Sequence, residues 1–183
     1  MNFLNPILIL TAVFLAVFFE SAFGGLRRLL GAQIDWLPGL MVYAALSAGL
    51  PTITLVAVLG GLWLDALSAN PPGVSVLPLF AAGLLVRHYR HLILREQLFA
   101  QFTLGLGASA AVPAFTLLLL VSVGASPLLG WGTLWQWLVM ALGGALATPI
   151  WFFLFHRVQR ALHYRPLPEN NFRADRQIKR SRL

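Results

Sequence analysis

The chain has 183 residues, of which 58% are apolar and only 10% are charged. Typical soluble domains are about 45–50% apolar and about 25% charged. This composition excludes a soluble globular enzyme, a disordered linker and a fibrous repeat as the main interpretation, and it indicates an integral membrane protein. The absence of cysteine excludes disulfides, thiolate nucleophiles and cysteine metal sites.

The positive charge is concentrated at the C-terminal end. Residues 157–183 contain eight Lys or Arg and two acidic residues, so they supply +6 of the total net charge of +7. The rest of the chain is nearly neutral and has no basic face with aromatic platforms, so nucleic-acid binding is not expected. A basic tail beside apolar spans predicts a cytoplasmic C-terminus that binds anionic lipids.

A membrane-crossing helix needs about 20 mostly apolar residues. We predict spans over 3–23, 36–50, 52–69, 74–92, 98–122 and 134–156. The first is interpreted as a retained span, because no basic segment precedes it and no clear A-x-A cleavage site follows it. Together the spans predict an all-α membrane domain over 1–165, followed by a basic mobile tail over 166–183.

The residue pattern alone leaves the number of spans open. Pro51 divides the apolar stretch 36–69 into halves of about 15 residues, or about 23 Å of helix each, whereas the hydrocarbon core is about 30 Å thick. Treating 36–69 as one broken unit gives five spans and places Arg27 and Arg28 inside, as the positive-inside rule favours. Treating it as two helices gives six spans and leaves both arginines outside.

Two acidic residues lie near the ends of predicted spans. Placing an ionisable group in a membrane costs free energy, so such a residue is expected to have a structural or functional role. Glu20 is expected either to pair with Arg27 or Arg28 or to contact the membrane helix of a partner. Asp65 precedes the turn at 70–73, so it is expected either to accept backbone N–H groups of that loop or to bind a partner. Both acids lie at helix ends rather than in a series, so a proton relay is not expected.

Catalytic and metal-binding patterns are weak in this sequence. His88 and His91 could share a helix face, but the arginines beside them would repel a cation, so a metal site is not expected. The motifs G-x-S-x-G, H-E-x-x-H and the P-loop are missing. We therefore expect a protein that is not an enzyme and that carries no cofactor.

Pairs of small residues four positions apart predict helix faces that approach closely. These pairs are Ala12 and Ala16, Gly105 and Ser109, and Gly143 and Ala147. They predict compact packing but do not identify a partner.

An ordered set of motifs resembles the MreD family, the small membrane subunits of the bacterial rod-shape machinery. The residues that carry the resemblance are Asp35-Trp36-Leu37-Pro38, Gly61 with Asp65, Leu67 and Ser68, Gly73-Val74, the segment 143–151, and Arg157-Val158-Gln159-Arg160. The resemblance covers about residues 33–162, which is most of the chain.

The resemblance implies a bundle of six transmembrane helices in the bacterial inner membrane, with both termini in the cytoplasm. It implies a non-enzymatic scaffold of the cell-elongation complex that supports peptidoglycan synthesis and cell shape. The implied partners are the single-span MreC, a RodA-type polymerase, a class-B penicillin-binding protein and, directly or indirectly, MreB. The candidate partner-binding or structural residues are Glu20, Asp35, Asp65, Arg157 and Arg160.

The fold of that family is similar to the S-components of energy-coupling-factor vitamin transporters. The alternative function is therefore a small-molecule-binding S-component, in which Ala12 and Ala16 could dock the coupling subunit. A vitamin pocket needs several precisely placed polar groups, and the predicted outer loops offer few of them.

Overall fold

The computed structural model describes residues 4–22, 31–68, 70–91, 97–124 and 130–162, and these residues form helices without any strand. The helices are α1 (Leu4–Ala22), α2 (Leu37–Ser47), α3 (Leu50–Leu67), α4 (Val76–His88), α5 (Leu98–Ser122) and α6 (Trp131–Leu162). Of these, α1, α3, α5 and α6 are long and apolar enough to cross a membrane, whereas α2 and α4 are shorter apolar helices. The chain is therefore an all-helical protein of multi-pass membrane type.

The chain reverses direction between α2 and α3. The break lies at Ala48 and Gly49, which both have extended backbone conformations. Pro51 lies in the first turn of α3, where its missing N–H removes no helical hydrogen bond. Near the far end of α3, a Cβ on Gly60 would lie 3.0 Å from a methyl group of Leu37 at the start of α2. Residues 37–67 therefore form two antiparallel helices rather than one broken helix.

A π-helical turn at Val56–Gly60 interrupts α3 between its regular parts, Leu50–Leu55 and Gly61–Leu67. Such a turn accommodates an extra residue and rotates the faces that follow it. Gly60 at its end is buried, and a Cβ there would touch Val13 of α1 as well as α2. The turn therefore brings three helices together at one glycine.

The second helix occupies the centre of the bundle. All of its residues from Leu37 to Leu46 are buried, and it contacts each of the other helices, α1 and α3 to α6. A helix that is apolar on every side is expected to be covered on every side. The continuous apolar sequence of α2 therefore reflects burial by protein rather than contact with lipid.

Small residues allow α5 and α6 to pack closely. A Cβ on Gly105 would overlap the side chain of Thr148, and a Cβ on Gly144 would overlap the side chain of Ser109. The small-residue pair predicted on α5 therefore lies at this interface. On α6, the residues at this interface are Gly144 and Thr148. Each lies one position beyond a member of the predicted pair, Gly143 and Ala147.

The two ends of the bundle differ in charge. At one end, Asn5 Nδ2 donates to the Ser47 carbonyl at 3.4 Å, Arg87 donates to the Ala48 carbonyl at 2.9 Å, and Gln159 donates to the Asn5 side chain at 2.9 Å. We call this the basic end, and its described arginines are Arg87, Arg90, Arg157 and Arg160. The opposite end, called the acidic end, carries Glu20, Asp35 and Asp65.

Candidate interaction sites at the two ends of the bundle

Asp65 anchors the loop that leads from α3 into α4. Its side chain is only 2% exposed. The Oδ2 atom accepts hydrogen bonds from the N–H groups of Gly73 at 2.7 Å and Ser75 at 3.1 Å. Gly73 has φ +93°, a conformation that glycine adopts readily. Asp65 therefore binds the loop through backbone N–H groups, which is one of the two roles considered for it from the sequence.

Gly61 lies one helical turn before Asp65 and contributes to the same junction between α3 and α4. A Cβ on Gly61 would lie 2.8 Å from the Cα of Val76, and a backbone atom cannot move aside as a flexible side chain can. The Gly-x-x-x-Asp pattern thus has a physical explanation. Gly61 allows the start of α4 to approach α3, and Asp65 holds the loop that leads into α4.

Glu20 belongs to a polar network at the acidic end. Its Oε1 accepts a hydrogen bond from Gln33 Nε2 at 2.8 Å. The backbone of Gln33 in turn makes two bonds to the amide of Gln136, at 3.1 Å and 3.0 Å. This network links α1, the segment before α2, and α6. The expected partners Arg27 and Arg28 lie outside the described residues.

Asp35 lies directly before α2 and is 3% exposed. Its Oδ1 accepts the N–H of Leu37 at 2.9 Å, which satisfies one of the free donors at the start of the helix. Burial raises the pKa of Asp35 from its ordinary value of 3.8 to about 6, and the hydrogen bond from Leu37 opposes that rise. The carboxyl of Asp35 also repels that of Glu20.

The raised pKa of Asp35 predicts a pH-dependent stability. Because the folded chain holds this proton more tightly than the unfolded chain, the stabilising contribution is full below pH 3.8 and is lost as the pH rises through about 6. Asp35→Asn keeps an oxygen acceptor for Leu37 but cannot ionise. Thermal unfolding in detergent should show a difference in midpoint, variant minus wild type, that increases between pH 4 and pH 7. A difference that does not change with pH would contradict this assignment.

A second polar network lies at the basic end and was not anticipated from the sequence. Gln159 Nε2 donates both to Asn5 Oδ1 at 2.9 Å and to the hydroxyl of Tyr43 at 3.2 Å. The ring of Tyr43 stacks on Phe155 with centroids 4.2 Å apart. The sequence feature that could have indicated this network is the presence of three polar side chains, Asn5, Tyr43 and Gln159, in largely apolar helices. Polar side chains in membrane helices often form hydrogen bonds with neighbouring helices. Sequence alone does not show that they meet.

The remaining candidates lie on the surface of the basic end. Arg157 and Arg160 are exposed in the last turns of α6, and His88 and His91 are exposed at the end of α4. The ring of His88 packs edge-on against Tyr89, with centroids 4.9 Å apart. Across the described part of the chain, no group of three or more His, Asp or Glu side chains is placed to hold a metal ion.

The apolar helices, the internal polar junctions and the different charge of the two ends define a multi-pass helical membrane protein. No family model, curated protein or solved structure matches the chain. A more specific function therefore has to be inferred from its own residues.

Proposed function

We propose that the chain is an MreD-like, non-enzymatic scaffold of the bacterial cell-elongation complex. The observation that carries the proposal is the junction between α3 and α4. Gly61 and Asp65, which belong to the motif that resembles the family, act together there on Gly73, Ser75 and Val76. Both residues act at the same junction, and this shared role explains their spacing. It supports the interpretation that they form a motif rather than a chance pattern.

The charge difference between the ends supports the proposed topology. Basic residues beside membrane spans favour the cytoplasmic side, and the four described arginines lie at the basic end. In the proposed arrangement the protein lies in the inner membrane, α2 and α4 serve as the two shorter of six spans, and both termini are cytoplasmic. The antiparallel course of α2 and α3 is consistent with six passes rather than five.

Affinity purification in the native host tests the scaffold function directly. The tagged full chain is expected to enrich an MreC-like single-span protein, and a RodA-type polymerase with its class-B penicillin-binding protein, over an unrelated multi-pass protein with the same tag. MreB is expected directly or through these partners. Depletion of the chain should make rod-shaped cells wide or round. Unchanged cell width, together with no enrichment of a single-span partner, would reject the proposal.

The alternative is a small-molecule-binding S-component, and the cavity near the acidic end offers little support for it. That cavity is about 390 Å³ and lies between the end of α5 and the start of α6. Thr133 supplies the one hydroxyl in its lining, and the ring nitrogen of Trp137 already donates to the Ala110 carbonyl at 2.8 Å. A saturable rise in the unfolding temperature with a vitamin would nevertheless favour the alternative.

A further inference from the structure

The fourth helix joins the two ends of the bundle over a short distance. At the acidic end, the N–H of Ser75, directly before α4, donates to Asp65 at 3.1 Å. At the basic end, Arg87 in the last turn of α4 donates to the Ala48 carbonyl at 2.9 Å. The helix has 13 residues and is therefore about 20 Å long, whereas the hydrocarbon core of a bilayer is about 30 Å thick.

The segments that flank α4 cannot supply the missing length. Residues 70–73 and 89–91 form turns rather than helix. Turns that face lipid are not tolerated in hydrocarbon, because their backbone N–H and C=O groups would lack partners there. The guanidinium of Arg87 is also held by the Ala48 carbonyl, so this side chain is not free to reach outward. The hydrocarbon boundaries beside α4 therefore lie no farther apart than these two turns.

One side of α4 is apolar and is left uncovered by the described part of the chain. Leu77, Leu84 and Leu85 are 53%, 38% and 62% exposed, and Ala81 lies exposed among them. We call these four residues the outer face of α4. Gly83 lies on the inner side, where a Cβ would be 2.8 Å from side chains of both α2 and α3. Membrane helices associate through small or polar residues, so an outer face made mostly of leucine is suited to acyl chains rather than to a partner's helix.

The last two helices present a longer apolar surface. The fifth helix has 25 residues and is therefore about 37 Å long. Residues 137–155 of α6 contain no charged side chain and span about 28 Å of helix. Leu146, near the middle of that stretch, is 60% exposed. The bundle thus has an apolar surface that matches a full hydrocarbon core at α6 and is about a third shorter at α4.

We propose that acyl chains cover the outer face of α4 and that the bilayer is thinned there, with a preference for short-chain lipids. A short helix exposed to lipid is accommodated by thinning of the bilayer, by outward-reaching flanking residues or by association with another chain. The fixed ends of α4 oppose the second solution, and its leucine-rich outer face opposes the third. This inference rests on the six-pass topology proposed above, in which α4 crosses the membrane, and does not need the scaffold role.

Fluorescence quenching by brominated lipids provides the first test. The chain contains no cysteine, so Ala81→Cys on α4 and Leu146→Cys on α6 each create a single labelling site. The labelled full chains are placed in dioleoyl phosphatidylcholine vesicles that contain brominated dimyristoleoyl or dierucoyl phosphatidylcholine. Beside α4 the shorter lipid should be enriched over the longer one about twofold or more, because each ångström of length difference costs free energy. Beside α6 it should not be enriched. Equal enrichment at both sites would overturn local thinning, and no quenching at Ala81→Cys would show that another chain covers the outer face.

A longer apolar surface on α4 provides the second test. His88 and Arg90 are exposed at its basic end, so His88→Leu combined with Arg90→Leu should extend that surface and remove the enrichment measured at Ala81→Cys. The matched control, His156→Leu combined with Arg157→Leu, removes the same two types of side chain from α6 and should leave the enrichment unchanged. Persistence of the enrichment after the α4 substitutions would overturn the proposal. Copurification of a single-span partner tests the scaffold role separately, so either proposal can fail while the other holds.

Discussion

Asp65→Leu is expected to lower the free energy of unfolding by about 3 kcal/mol or more. The substitution removes a carboxylate that accepts two backbone N–H groups, from Gly73 and Ser75. Hydrogen bonds to charged groups are worth about 1.5–3 kcal/mol each, and the donors left behind remain partly or fully buried. Denaturant titration of the purified chain in detergent micelles, followed by circular dichroism, would measure the loss.

Asp65→Asn is the matched control, because it keeps the size and one oxygen acceptor but removes the charge. We expect it to cost about half as much as the leucine variant. Similar stabilities for wild type and Asp65→Leu would show that the loop is held by other contacts. The same pair of variants separates the two roles considered for Asp65. An asparagine variant that stays folded but no longer copurifies with the proposed single-span partner would assign Asp65 a direct role in partner binding.

Gly105→Val is expected to destabilise the chain by about 3 kcal/mol, the upper end of the usual cost of overpacking. A Cβ at this position would overlap Thr148 and approach the Gly144 carbonyl at 2.9 Å. Relief requires α5 and α6 to separate, because part of the obstruction is helix backbone. The same denaturant titration would measure the effect.

Gly107→Val provides the control for that substitution on the same helix. A Cβ on Gly107 would meet nothing within 4 Å, so the valine changes backbone propensity and side-chain volume without a collision. We expect its stability to stay within about 1 kcal/mol of wild type. If Gly105→Val and Gly107→Val were equally stable, close packing at Gly105 would not hold α5 against α6.

The sequence located helices well where apolar runs end in strong turn signals. The Pro-Pro-Gly turn at 71–73 separates α3 from α4. The pattern predicts that Asp65 either holds this turn or binds a partner, and its bonds to Gly73 and Ser75 show that it holds the turn. The pattern predicts the break before α3 less accurately, because it indicates Pro51 as the division. The break lies at Ala48 and Gly49, since a proline is readily accommodated in the first turn of a helix.

Long-range polar contacts could not be predicted from the pattern. Gln159 bonds to a side chain 154 positions earlier, and Gln33 bonds to one 103 positions later. Apolar spans share composition, so hydropathy finds helices but does not show which faces meet. The π-helical turn at Val56–Gly60 is equally invisible, because its residues would suit a regular helix. These features depend on tertiary packing, which overrides local preference.

The complete burial of α2 has a consequence for how the protein responds to its bilayer. With 11 residues, α2 is only about 16 Å long, well short of a hydrocarbon core of about 30 Å. A lipid-facing helix of that length would thin the surrounding membrane or pull its flanking residues inward. Because the other helices cover α2, lipid acyl chains do not contact it, and its short length does not have to match the bilayer thickness. Bilayer thickness therefore acts on the exposed outer helices, and the short central one is insulated from hydrophobic mismatch.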